Sequence, residues 1–442
     1  MKANQQREVE ADTVLSVQLN DRPFNPWRTP KSDNVRLVIE EIIGMLQAYE
    51  EHFGLRQRKR KPTDQETFEQ AVSAVLCDVM YHHLLGEPGG VAITRSNTVL
   101  GRKSRYRPSA YNKKLPAILD LMAAPEMAFI TQEMGHQEHF SAARRTVIAA
   151  GSRTVDRIKA NGIKLSDFCL ADQREVVFLR REKDDFWDDG GNMEYDDTAD
   201  TVKFREQLRQ INQWLSAGNI DFGELSDTTR DRRVDPFDTH LRRIFTQGRF
   251  VSGGRLFGGF WQQLSKRDRF ETVFIDEEEI VELDFGQMTP RILYGWAEVK
   301  PAGEDLYQVP GFEEHRAGIK QLFNAMVFST KRLSRMPQGV RKSFLKEHSV
   351  EQVMRQIEKV HAPIAGYFFV GAGHGAQFIE SNILVDVLLE LKELGVTALP
   401  IHDAILVPRS KVATARSTML EAFRRHTGIE GVVSVAEGEA LG

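Results

Sequence analysis

Two aspartates at the ends of apolar strands carry the strongest chemical signal in this chain. Asp284 closes the run EIVELDF and is followed by a polar turn and a helix-like segment, GQMTPRILYGWA. Asp403 lies in ALPIHDAILVP, where the dipeptide His402-Asp403 separates two short apolar runs, as at a hairpin turn. A carboxylate at the edge of a strand faces a cleft and holds Mg²⁺ through one or two oxygens. Two carboxylates converging on one point repel unless cations neutralise them, so the pair favours two divalent ions and metal-assisted phosphoryl transfer. Between them in sequence, His315 to Phe328 reads as a helix, HRAGIKQLFNAMVF. At ~100° per residue, Arg316, Lys320, Asn324 and Phe328 share one side, and Ile319, Leu322, Phe323, Met326 and Val327 share the other. Two cations one turn apart, continued by a polar and an aromatic residue, suit a triphosphate and a stacked base. Taken singly, Asp284 also reads as an ordinary N-cap and the helix face as a solvated one. Their combination carries the chemistry.

The elements that must position these groups are legible nearby. Gly253 to Gln263, GGRLFGGFWQQ, sets four glycines around Arg255, which lets the backbone lie close to a partner while Phe260 and Trp261 pack beneath it. A helix from Gln377 to Leu394 brings Gln377, Ser381 and Asn382 towards one end. Further upstream, residues 1 to about 35 read as an extended, proline-punctuated arm, and Asn34 to Leu55 has helical periodicity. Thr63-Asp-Gln-Glu66 reads as a capping box opening the helix FEQAVSAVLCDVMYHHLL. A strand (GVAITRS), a basic turn-rich loop, a helix (LPAILDLMAA) and two strand candidates, MAFITQEM and RRTVIAAG, follow, with GHQEHFSAAR as a hairpin tip. Another helix, SRTVDRIKANG, closes this region. The order resembles a winged helix-turn-helix with the hairpin as its wing. DNA contact by Arg102, Lys103, Arg105 and Arg107 follows from that resemblance. Val202 to Ala217 is amphipathic, with Phe204, Leu208, Ile211 and Leu215 on one side. Gly218 to Pro236 reads as a boundary.

The motifs around Asp284, Arg316, Lys320 and His402-Asp403, in this order, resemble those of family A DNA polymerases and the phage-type single-subunit RNA polymerases. The resemblance covers about residues 240 to 410. Asp284 matches the first metal-binding aspartate of a motif that reads roughly DYSQIELR, with Phe285, Gly286, Gln287 and Arg291 on its later positions. Arg316, Lys320 and Phe328 match the fingers pattern R-x3-K-x7-Y/F, whose cations bind the incoming triphosphate. His402-Asp403 matches the second catalytic motif, usually His-Asp-Glu. The resemblance implies catalytic roles for Asp284, Asp403 and Lys320, with two Mg²⁺ ions (Mn²⁺ as the alternative) on the aspartates. It implies nucleotide contacts from Arg316, Lys320, Phe328, Tyr307, Gln287 and Thr289. It implies nucleic-acid contacts from Arg255, Gln263, Arg291, Gln377 and His402. Several positions depart from the pattern. Ala404 replaces the glutamate of His-Asp-Glu, Asn324 replaces an aromatic or similar residue one turn after the lysine, and the short spacing from Tyr307 to Arg316 implies reduced fingers. Thr289 stands where DNA polymerases place a glutamate against the ribose 2′-hydroxyl, while Phe328 lacks the hydroxyl with which a tyrosine senses ribose.

The expected fold is α+β: a polymerase-like palm with an antiparallel sheet and reduced helical fingers, preceded by a winged-helix-like domain. The expected divisions are an arm and helix (1–62), the winged-helix-like domain (63–170), an acidic linker and helix (171–236) and the palm and fingers (237–442). The expected activity is template-directed nucleotidyl transfer without proofreading, since no exonuclease carboxylate motif occurs in the N-terminal half. DNA synthesis is favoured over RNA synthesis or priming, and a non-catalytic DNA-binding replication protein with a degenerate palm is the other reading. A metal-dependent nuclease using the same carboxylates is a third. Expected partners are nucleic acid template and primer and nucleoside triphosphates, without a membrane.

Composition agrees with this. The chain has 442 residues, enough for two or three cores, and a net charge of −4 that excludes a uniformly basic coat. The charge is segmented: Arg56 to Lys61 holds five basic residues in six, and Arg95 to Lys114 holds seven with no acidic one. Asp184 to Asp200 holds eight acidic residues and no basic one, and reads as an exposed loop around Trp187 rather than a metal site. Two isolated cysteines, Cys77 and Cys169, exclude a cysteine-type zinc site and a disulfide scaffold. No apolar run is long enough to span a membrane, and the N-terminus lacks a signal-peptide core, which points to the cytoplasm.

Overall fold

A helix of 24 residues, Pro62–Leu85, is the axis of the first of two units. The computed structural model describes residues 21–135, 145–171, 174–183, 188, 190–223 and 234–438. They divide into Met1–Arg174 and Glu175–Gly442, and both units mix helices with small sheets. The axial helix buries Phe68, Val72, Val75, Leu76, Val79 and Met80 among others, on all of its sides. It starts at Pro62 with Lys61 as a cap that makes no side-chain bond. The capping box expected at Thr63 and Glu66 is therefore inside the first turn, and proline at the first helical position sets the start instead.

From residue 21 the expected arm is folded. Arg22–Pro23 pairs in parallel with Val91–Ile93, and Arg28–Pro30 pairs antiparallel with Phe168–Leu170. Asp78, fully buried on the axial helix, holds this segment. It accepts from Arg22 Nη2 at 2.7 Å, Arg28 Nε at 3.1 Å and the Asn25 N–H at 2.8 Å. The two strands expected as a hairpin, here Ile130–Glu133 and Thr146–Ala150, pair antiparallel, Ile130 opposite Ala150. They form one side of a four-stranded sheet. The hairpin tip falls largely on residues 136–144, outside the described residues.

In the second unit the helix Ala199–Ala217 buries Phe204, Leu208, Ile211 and Leu215, the face expected from its periodicity. Those residues belong to the same hydrophobic core as the strands of the main sheet described below. Of the acidic stretch, residues 184–187 (with Trp187) and 189 lie outside the described residues. Beside them Asp188 pairs with Arg181, and Asp197 with Arg205, so these carboxylates are neutralised by arginines.

The main sheet runs in the order Leu399–Ile401, Ala404–Pro408, Glu278–Phe285, Val273–Ile275 and Ile220–Phe222, with Val433–Ala436 also paired to Glu278–Phe285. Every pairing in it is antiparallel. Glu278–Phe285 is central because Ile280, Val281, Leu283 and Phe285 give it an almost continuous apolar run, buried on both faces. A second sheet orders Gly253–Gly258, Leu241–Phe245 and Val177–Leu179. Three helices complete the frame of the site: Met288–Trp296, Arg316–Phe328 and Ala372–Glu393. No helix among the described residues is long and apolar enough to cross a membrane.

Removing Asp78 strands two arginine charges, one of them 3% exposed. Asp78→Ala is expected to cost the first unit about 3–5 kcal/mol. Urea denaturation reads this as an earlier transition, and an unchanged midpoint contradicts the assigned role.

Candidate active site

Register brings the two strand-end aspartates together. Asp284 pairs directly with Ala404, and the Phe285 N–H donates to the Asp403 carbonyl at 3.2 Å. The turn between Leu399–Ile401 and Ala404–Pro408 has only two residues, and His402 takes a left-handed backbone there, φ +55°. Trp261 Nε1 and Gln262 Nε2 both donate to the Pro400 carbonyl, at 2.9 and 2.8 Å. The glycine-rich segment therefore buttresses the hairpin that carries Asp403.

Neither carboxylate has a hydrogen-bond or ion-pair partner among the described residues. Burial, then the negative charges of Asp403 and Glu282, push Asp284 up to about 7, while Lys320 and Lys266 pull the other way. Glu282 lies two residues earlier on the same face, but its charge is taken by Lys266 at 2.7 Å and Arg269 at 3.6 Å. No cluster of three or more histidine, cysteine or acidic side chains suited to a metal occurs among the described residues. The donor set is thus two unpaired carboxylates. That fits Mg²⁺, which keeps several waters and completes its shell with substrate phosphates rather than a protein cage.

The helix Arg316–Phe328 buries Gly318, Ile319, Leu322, Phe323, Met326 and Val327, and exposes Arg316 and Lys320, as its periodicity requires. Arg316 is held by Asp305 in a two-pronged pair, Nε to Oδ2 at 2.5 Å and Nη2 to Oδ1 at 3.0 Å. Tyr307 is 3% exposed and lies beneath the cations, its ring centroid 5.6 Å from the Arg316 Cζ and 6.0 Å from the Lys320 Nζ. Its ring is a floor for the cations, stabilised by the negative π-face. Phe328 is half-buried, edge-on to His374 at 5.2 Å. A Cβ on Gly373 would stand 2.6 Å from that ring, so only glycine permits the approach.

Beyond Asp284 the chain turns through Gln287, which is left-handed (φ +56°) and precedes the helix Met288–Trp296. Gln287 accepts from the Leu306 N–H and donates to the Glu304 carbonyl, both at 3.0 Å. Arg291 is 6% exposed and donates to the carbonyls of Glu304 at 3.0 Å and Glu430 at 3.1 Å. Both side chains, expected at nucleotide and nucleic acid, bond main-chain groups of other segments, Arg291 from a buried position and Gln287 from a half-buried one. Thr289 stands half-exposed on the first turn of the helix. His361 completes the suspension of residues 304–307: its Nε2 lies 2.9 Å from the Leu306 carbonyl, and its Nδ1 3.1 Å from the Tyr294 hydroxyl. Burial holds this imidazole below its usual pKa, so it donates from Nε2 and accepts at Nδ1.

Arg255 donates through Nε to Glu380 at 2.6 Å, and both feel the charge of Asp403. Arg243, fully buried, ties this strand pair to the helix Ala372–Glu393 by donating to the Gly254 carbonyl, Ser381 Oγ and Asn382 Oδ1. Gln377 is half-buried one turn before Glu380 on that helix, Gln263 is exposed, and His402 is exposed at the hairpin tip. Glu380, Asp305, His361, Glu282 and Gln262 were not singled out from sequence. For Glu282 the signal is present, as an acid between apolar residues in EIVELDF. In the first unit Arg102 and Lys103 are exposed. Arg107 donates to the carbonyls of Val99 and Arg102 and lies 5.0 Å from the Tyr111 ring, which knits its own loop. Arg105 is half-buried and engaged.

No family model matches the chain, and no curated protein matches it. Among solved structures, the POL domain of Pol1 from M. smegmatis, in complex with DNA primer-template and dNTP, is similar at 12% identity. The match has a TM-score of 0.31 and covers 91% of this chain and 68% of that one.

The raised Asp284 pKa has a definite sign in stability. The folded state holds the proton more tightly than the unfolded one, so metal-free stability falls as pH rises from about 4 to about 7. Asp284→Asn removes the repulsion. Without divalent cations it should raise Tm by roughly 2–4 °C, about 1 kcal/mol for a unit of this size, at about pH 8 and by little at about pH 4. Calorimetry at the two pH values checks this; a lower Tm at the alkaline value contradicts it.

Proposed function

We propose that this chain is a template-directed nucleotidyltransferase that extends a 3′-hydroxyl with nucleoside triphosphates. The observation that carries the reading is the juxtaposition of two unpartnered carboxylates, Asp284 and Asp403, on adjoining strands, with Lys320 acting on Asp284. Mg²⁺ held by the two aspartates would supply activation of the hydroxyl and neutralisation of the departing pyrophosphate. The chain's own groups divide the remaining work. Arg316 and Lys320, above the Tyr307 ring, bind the triphosphate, with Lys320 next to the group that leaves as pyrophosphate. Phe328, braced against Gly373 and His374, borders the place for the base. Gln287, Arg291 and His361 position residues 304–307, and so the Asp305–Arg316 pair. The carboxylate of Asp305 must yield the Arg316 fork to phosphate oxygens when substrate enters.

DNA is the favoured product, with RNA synthesis or priming as the variant of the same chemistry. Nucleic-acid contact by the first unit would come through Arg102 and Lys103, which are exposed on its basic loop. Winged-helix docking of that unit belongs to the same proposal.

Primer extension tests this, with dNTPs and NTPs supplied separately on DNA and RNA templates. Asp284→Ala and Asp403→Ala should each lower kcat by about 10³-fold or more, and Lys320→Ala by about 10²-fold, while nucleic-acid binding persists. Synthesis that survives in the Asp403→Ala protein overturns the assignment. Binding without synthesis under any nucleotide would favour a non-catalytic protein instead.

A further inference from the structure

Beside Asp403 lies a charged pair, Arg255 with Glu380, that the proposed chemistry does not use. Glu380 is almost entirely enclosed, its side chain 2% exposed, and it is held by Arg255, whose side chain is 30% exposed. Only Nε of Arg255 is spent on that pair; its two terminal nitrogens bond no acceptor among the described residues. Glu380 and, at longer range, Asp403 act on its charge.

The backbone of Arg255 has nowhere to go. Gly254, at φ +82°, lies so close to the helix Ala372–Glu393 that a Cβ there would stand 2.8 Å from Ser381 Oγ. Arg243 fastens the same place by bonding Gly254, Ser381 and Asn382. With the main chain fixed, the direction of the guanidinium is the remaining freedom. An arginine turned towards Asp403 would occupy the oxygens a divalent cation needs, and even an unturned, uncompensated charge there would repel that cation. Ala404, beside Asp403, offers no carboxylate to counter it.

We propose that Glu380 is a positioning residue that neutralises Arg255 and holds it off Asp403, keeping Asp403 open to a divalent cation. The inference rests on Asp284 and Asp403 being the cation site.

Its test is Mn²⁺ binding to the full chain without nucleotide or nucleic acid, followed by electron paramagnetic resonance. Glu380→Ala should weaken Mn²⁺ binding about tenfold, and Glu380→Gln, which keeps a neutral acceptor for Arg255, about threefold. Adding Arg255→Ala to Glu380→Ala removes the freed cation and should restore binding to within about twofold of the wild type. A double variant that stays weak, or a Glu380→Ala protein that binds as the wild type does, overturns the proposal. Should Glu380→Ala not fold, the Gln variant and the double variant decide by the same criteria. The two readings fail differently. Wild-type binding that Asp403→Ala leaves intact defeats the cation site and this proposal with it. Binding abolished by Asp403→Ala but untouched at Glu380 defeats this proposal alone.

Discussion

The register between the strands Glu278–Phe285 and Ala404–Pro408 is the constraint on which the rest of the site depends. With Asp284 opposite Ala404, Asp403 falls at the turn just beyond the last pair, and both carboxylates reach one mouth of the sheet. A slip of one residue would send Asp284 to the other face, because side chains alternate along a strand. The arrangement is unfavourable in itself: burial and a neighbouring negative charge drive Asp284 towards neutrality. Repulsion of this kind is what makes the pair receptive to a cation. Groups whose ionisation is strongly perturbed by neighbours in a cleft are a mark of functional sites.

Much of the polar chemistry around that mouth is spent on holding loops still. Trp261 and Gln262 fasten the hairpin through one carbonyl, that of Pro400. Gln287 and Arg291, at the start of one helix, and His361, from a separate segment, hang residues 304–307, and that segment carries both the partner of Arg316 and the ring beneath it. Arg243 and the Arg255–Glu380 pair fix the glycine-rich strand to the long helix. Buried ionic contacts of this sort add little net stability compared with an apolar core, and breaking them by halves is costly. Their value here is geometric, since phosphoryl transfer depends chiefly on positioning and on charge stabilisation.

Several features were legible in the residues alone because each rests on local periodicity. The apolar run ending at Asp284, the two-sided helix with Arg316 and Lys320 on its open face, and the His402-Asp403 turn all fold as their patterns require. The helix Ala199–Ala217 buries the face its spacing marks out. Partners distant in sequence were not legible. The bonds of Arg291 and Gln287 to carbonyls and an N–H contributed by other segments are of this kind. The folded segment from residue 21 looked like an arm because its anchor, Asp78, lies more than fifty residues away.

What the sequence by itself determined is which groups can do chemistry and on which side of each element they stand, since both follow from residue type and the periods of helix and strand. Only the tertiary structure decided which of those groups meet. It set Asp403 beside Asp284, put Glu380 against Arg255, and enclosed Arg291. The physical reason is that charge interactions depend on distance and burial, and neither quantity exists until the strands are paired and the helices packed upon them.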